Sequence, residues 1–220
     1  MRPLSPLEVR VLGVLVEKAH TVPDSYPLSL NSLTLGCNQK TARDPVLSLS
    51  EGDVQGAVDA LKSLSLAFEA SGSRVTRYEH NLGRALALPS QSVALLCVLM
   101  LRGPQTVSEL RANCDRLHRF ADLSAVEGFL DELAARAEEK GGALAVKLPR
   151  AAGSREARWA HLLCGPVDAA LLSPMADAAD FVAVSELAAM KSRLSSVEAE
   201  LAALRAQVDR LYRELELSKG

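Results

Sequence analysis

The chain has 220 residues, 48% of them hydrophobic but only 4% aromatic, so its core must be built from Leu, Val and Ala, a mixture that favours helices. The formal net charge of −2 excludes a whole-chain field strong enough to draw in nucleic acid, and any basic site must be local. Such a length suits one or two domains, and two are expected, each burying its own core.

The opening segment, Met1 to Arg10, has no uninterrupted apolar stretch of signal-peptide type, and no run reaches the roughly 18 apolar residues that cross a bilayer. Cys37, Cys97, Cys114 and Cys164 are widely spaced in apolar surroundings without a Cys-x-x-Cys pair, which predicts reduced, buried thiols in a cytoplasmic protein. The first helix begins at Ser5, with Pro6 at its first position and Glu8 completing a capping box. A second helix starts near Ser29 and a third at Ser50. Short strand-like runs follow, LAFEA and TRYEHNL, joined by a Gly-Ser turn.

The same series then recurs. VRVLGVLVEK from Val9 matches VALLCVLMLR from Val93, and LTLGC from Leu33 matches LRANC from Leu110. VQGAVDAL from Val54 matches VEGFLDEL from Val126, and GSRVTRYEHNL from Gly72 matches GSREARWAHLL from Gly153. The second series predicts helices from near Ser90 to Gly103-Pro104, from Thr106 with a Glu109 capping box, and from near Ser124, then strands in ALAVKL and RWAHLL. Three helices and a hairpin, twice over, predict a mainly α chain with small β hairpins: two tandem winged helix-turn-helix domains, residues 1–88 and 89–165. The first copy carries two insertions. HTVPDSYPL precedes its second helix, and the turn after that helix is five residues longer than in the second copy (Cys37 to Val54 spans 17 positions, Cys114 to Val126 spans 12). Long turns inside compact domains are often functional, although this one also suits an ordered loop packed by Pro45 and Val46.

TVPDSYPLSLNSLTLGCNQKTARDPVLSLSEGDV, the Gly-Ser-Arg turn and LLCVLMLRGPQTVSELR resemble the bacterial YceH family over roughly Leu4 to Leu163, most specifically in the Cys-Asn-Gln-Lys loop. Thr41-Ala42 stands where Ser-Asn is common, and Asp44 where Glu is. The resemblance implies two winged-helix domains and supplies no activity to inherit.

Winged helices generally contact duplex DNA, which makes Lys40, Arg43, Arg74, Arg77, Arg150, Arg155 and Arg158 candidates for phosphate contacts from the wings and the inserted turn. With Val54, Val58 and Leu61 facing the core, the third helix presents Glu51, Asp53, Gln55, Asp59 and Lys62 outward, and its counterpart presents Glu127, Asp131 and Glu132. Only Gln55 is a natural base reader, and the carboxylates oppose phosphate. A protein-binding scaffold is therefore the alternative. His80 and His161, beside Tyr78 and Trp159, read as structural strand residues. No phosphate-cradling glycine loop, His-Glu-x-x-His, Gly-x-Ser-x-Gly or paired metal-ligand spacing occurs, so no enzyme, metal or cofactor is expected.

After Gly165-Pro166 an Ala-rich linker over 166–185 leads to a heptad seam in 186–217: Leu187, Met190, Leu194, Val197, Leu201, Leu204, Val208, Leu211 and Leu215. Glu186, Arg193 and Glu200 lie at g and face Lys191, Glu198 and Arg205 at e of the next heptad, all opposite in sign, which predicts a parallel coiled-coil homodimer.

Overall fold

The computed structural model describes residues 2–70, 75–150 and 155–167. They form a mixed α+β structure with seven α-helices and two small antiparallel sheets. The linker beyond Val167, the heptad seam and Arg74 lie outside the described residues.

The first repeat runs α1 (Pro6–Thr21), β1 (Leu28–Ser29), α2 (Leu30–Cys37), α3 (Glu51–Ser63), β2 (Ala67–Ala70) and β3 (Arg77–His80). A one-turn α4 (Leu82–Ala85) leads to the second repeat: α5 (Ser90–Arg102), β4 (Gln105–Thr106), α6 (Val107–Cys114), α7 (Leu123–Ala134), β5 (Ala145–Lys147) and β6 (Arg158–His161). Side-chain capping fixes most helix starts. Ser5, Ser50 and Thr106 form reciprocal boxes with Glu8, Asp53 and Glu109, while Ser29 and Asp122 accept single backbone bonds.

The duplication extends to strand register. The sheets run β1-β3-β2 and β4-β6-β5. Leu28 pairs with Tyr78 as Gln105 pairs with Trp159, and Ala67 pairs with His80 as Ala145 pairs with His161. Glu69 and Lys147 occupy the same position, opposite Tyr78 and Trp159 respectively. The two-residue strands β1 and β4 are too short for periodicity to foretell, and each adds a third strand to an expected hairpin.

The repeats do not bury separate cores. Residues of both join one apolar cluster, in which α1 and α5 are the central pair. Every residue of α1 from Glu8 to Val16 is buried, as is every residue of α5 from Ser92 to Leu101. A helix apolar all round is one covered on all sides. Gly13 permits the close crossing, since a Cβ there would lie 2.9 Å from Leu101 Cδ2, and the Cys97 thiol donates to the Gly13 carbonyl at 3.3 Å. Gly36 does the same for α2, with Val14 Cγ1 2.6 Å from an added Cβ. Cys37, Cys97 and Cys114 are buried free thiols, and burial pushes Cys37 and Cys114 up to about 12. Cys164 departs from the expected burial: it follows the last core residue, Leu163, and is exposed.

His80 and His161 sit on the central strands with their Nδ1 atoms buried and without a hydrogen-bond partner among the described residues. Burial lowers each to about 4, with His20 adding to the effect at His80. Because the folded values lie below the usual 6.5, the unfolded chain binds more protons between pH 6.5 and 4. Stability from these groups is complete above pH 6.5 and declines as pH falls towards 4, by roughly 2–3 kcal/mol per histidine. Urea midpoints should drop between pH 7 and pH 5, and His161→Gln, neutral at both, should remove about half of that drop.

Candidate functional site

The two helix-hairpin surfaces differ most in how their cations are held. In the first repeat the inserted turn, Asn38 to Leu49, is closed by Asn38, whose side chain donates to the Leu49 carbonyl at 2.9 Å and accepts from its amide at 2.8 Å. Arg43, expected at the surface for phosphate, points inward. Its side chain is fully shielded and forms a two-pronged pair with Glu17 of α1, Nη2 to Oε2 at 2.6 Å and Nη1 to Oε1 at 3.1 Å. It also donates to the Gly36 carbonyl at 3.1 Å and to Gln39 Oε1 at 2.7 Å. Buried Arg10 donates to the Cys37 carbonyl at 3.1 Å and the Pro45 carbonyl at 2.6 Å. Two guanidiniums thus cap the last carbonyls of α2, where the helix is electronegative and its acceptors lack intrahelical donors. Burial and the neighbouring Arg43 lower Arg10 to about 10, which leaves it charged at neutral pH. The turn is also tied to the second repeat, as the Asp44 amide donates to the Leu101 carbonyl at 2.8 Å.

The remaining first-repeat candidates separate. Gln55 is not free to read bases: its Oε1 accepts from the Tyr78 hydroxyl at 2.9 Å and its Nε2 donates to Asp59 at 3.1 Å. Arg77 donates to the Pro27 carbonyl at 2.7 Å and to the Ser25 carbonyl at 3.4 Å, both within the first insertion. Lys62 of α3 bridges to Glu69 of β2. Lys40 is exposed.

In the second repeat the equivalent surface is open. A cleft of about 440 Å³ between α7 and the β5-β6 hairpin is lined by Val107, Ser108, Leu123, Glu127, Lys147, Arg150, Arg155, Glu156 and Ala157. Arg150 and Arg155 are exposed, and Lys147 lies 3.8 Å from Glu127 and 5.6 Å from the Trp159 ring centre. Ser108 donates to Glu156 at 3.2 Å. Arg158 holds the position of Arg77, but no insertion reaches it, and its carbonyl accepts from the Leu148 amide at 2.7 Å. Lys147 escaped the sequence reading because a lysine in an apolar strand run looks like an ordinary edge residue; its alignment with Glu69 across the repeat is the signal that points to it.

Residues 4–154 match the family described as a protein of unknown function, DUF480. The chain is 60% identical over 217 residues to a UPF0502 protein of Leptothrix cholodnii, covering 97% of this chain and 96% of that one. It is 60% identical over 217 residues to one of Burkholderia thailandensis (98% and 90% covered) and 56% identical over 214 residues to one of Acidovorax sp. (97% and 95% covered). The chain belongs to this family. Since the family carries no assigned activity, function has to be argued from the site. Among the described residues no helix is long and apolar enough to cross a membrane.

Arg43 and Glu17 supply a direct test of the inserted turn. Glu17→Gln leaves the buried guanidinium without its carboxylate and should lower stability by about 3 kcal/mol, read as a reduced urea midpoint. Lys40→Gln, in the same turn but exposed, should stay within about 0.5 kcal/mol of the parent.

Proposed function

We propose that each repeat is a winged helix-turn-helix and that the chain contacts duplex DNA through a charged hairpin rather than a recognition helix. The observation that carries this reading is the convergence of Lys147, Arg150 and Arg155 on one open cleft beside α7. The exposed faces of α3 and α7 bear Glu51, Asp53, Asp59, Glu127, Asp131 and Glu132, which repel phosphate and disfavour insertion of either helix into the major groove. Contact of this kind is with the backbone and indifferent to sequence. The protein acts by binding, without catalysis or cofactor, and its free thiols suit a cytoplasmic setting. The YceH resemblance is read as the same family.

The acidic third helices, with Leu35 of α2 65% exposed, favour a second reading: a scaffold whose partner is a protein with a basic, partly apolar surface. Salt dependence separates the two. With about four phosphates neutralised per chain, log K for a duplex against log salt should fall with a slope near −3.6. A slope near zero would leave the scaffold reading standing instead.

The seam from Leu187 to Leu215 supports a parallel coiled-coil homodimer, which would present both hairpin pairs together and raise their effective concentration on a long ligand. Leu194→Glu with Leu201→Glu, both at a positions, should halve the mass measured by sedimentation equilibrium. Unchanged mass would show that the seam does not hold the subunits together.

A further inference from the structure

We infer that the two repeats have divided their roles, the second carrying the DNA-backbone contact alone while the first serves as its brace. The inference rests on the DNA reading above and goes beyond it by assigning the contact to one repeat and one cleft.

Matching register permits a position-by-position comparison. Arg77 and Arg158 are equivalent, but the first is tied to carbonyls of an insertion that the second repeat lacks. Arg43 belongs to the other insertion and is buried against Glu17. At the position shared by β2 and β5 the charge is reversed, Glu69 against Lys147. On the third helices, aligning Val54 with Val126 places Gln55 over Glu127 and Lys62 over Ala134. In the first repeat Lys62 therefore reaches from helix to strand and meets Glu69, and Gln55 meets Tyr78, so two side-chain bridges link α3 to its hairpin. In the second repeat the same angle is a cleft of about 440 Å³ bordered by Lys147, Arg150 and Arg155.

The carboxylates in that cleft do not forbid an anion. Glu127 is half-exposed and pairs with Lys147 at 3.8 Å, a weak, solvent-screened surface ion pair, so an incoming phosphate can take its place at Lys147. Glu156 is turned onto Ser108. Leu123 and Val107, at the first turns of α7 and α6, bring two positive helix ends to the same opening. The ligand that fits is a run of phosphates along a duplex, met by cations on both arms of one hairpin.

The test uses the full chain and a fluorescein-labelled duplex of arbitrary sequence, with anisotropy read across a salt series. Lys147→Gln, Arg150→Gln and Arg155→Gln together should flatten the salt slope by about 3 and weaken binding at least tenfold at low salt. Unchanged circular dichroism and urea midpoint confirm that these exposed positions leave the fold intact. Lys40→Gln with Arg74→Gln should leave the slope as in the parent. If the loss instead follows the first-repeat pair, the division of roles is overturned while the DNA reading stands. If the parent chain binds no duplex more tightly than about 10⁻⁴ M at low salt, the DNA reading itself fails, and this inference with it.

Discussion

The crossing of α1 over α5 at Gly13 is the constraint from which the rest of the structure follows. Each repeat supplies a first helix that is buried all round, so neither can fold with that helix facing water. Burying a Leu or Val side chain contributes roughly 1.5–3 kcal/mol, and Leu12, Leu15, Leu95, Leu96 and Leu99 are all inaccessible. A side chain at position 13 would separate the helices by colliding with Leu101 and Met100. With both first helices committed to the centre, the third helices and hairpins are left at the periphery, where Glu69 and Lys147 put opposite charges at one shared position.

The insertions modify this plan by electrostatics. In the second repeat a short turn satisfies the end of α6 with backbone alone, the amides of Leu117 and His118 both donating to the Cys114 carbonyl. The longer turn of the first repeat uses side chains for the same purpose, Arg10 and Arg43 donating to the Cys37 and Gly36 carbonyls. Two buried guanidiniums against one carboxylate would be strongly unfavourable without those carbonyl acceptors. Burial, the largest single effect, pushes the Glu17 carboxyl up, but the hydrogen bonds and charges of Arg43 and Lys18 together hold it below the usual range. The turn that looks like a functional loop in sequence is thus a cap and a clamp, fixed to α1 by Glu17 and to α5 through Asp44.

How much of this was legible in the sequence depends on the range of the interaction involved. The capping boxes at Ser5 and Thr106 are local in the chain, and both are present, as is the helix start at Ser50. The duplicated order of elements was legible because four matches recur in one sequence of spacings. Arg43 was misplaced because its partner Glu17 is 26 residues away, and nothing in NQKTARDP distinguishes an inward arginine from an outward one. Gln55 was assigned outward by helical periodicity, correctly for its backbone position, but periodicity does not know that Tyr78 comes within hydrogen-bond reach. Arg10 and Glu17, flanking the apolar run from Val11 to Val16, are the visible signs that charge packed against the core needs partners elsewhere.

Magnitudes explain why the two repeats could diverge without losing their common fold. Reversing charge between strand and helix exchanges one exposed pair, Lys62 with Glu69, for another, Lys147 with Glu127, and such pairs contribute at most about 1 kcal/mol. The surface can therefore be rewritten at almost no expense to stability. Removing a partner of the Arg43–Glu17 pair would cost several times that, so the clamp resists change while the hairpins do not. A duplicated module under those two energies keeps its apolar centre and varies its rim, and Trp159 illustrates the boundary. Its indole is 1% exposed and locked in the core, whereas Lys147, across the ladder from it and over its face, extends from a half-exposed position into the open cleft. The core residue sets where the cation stands, and solvent leaves it free to change partners.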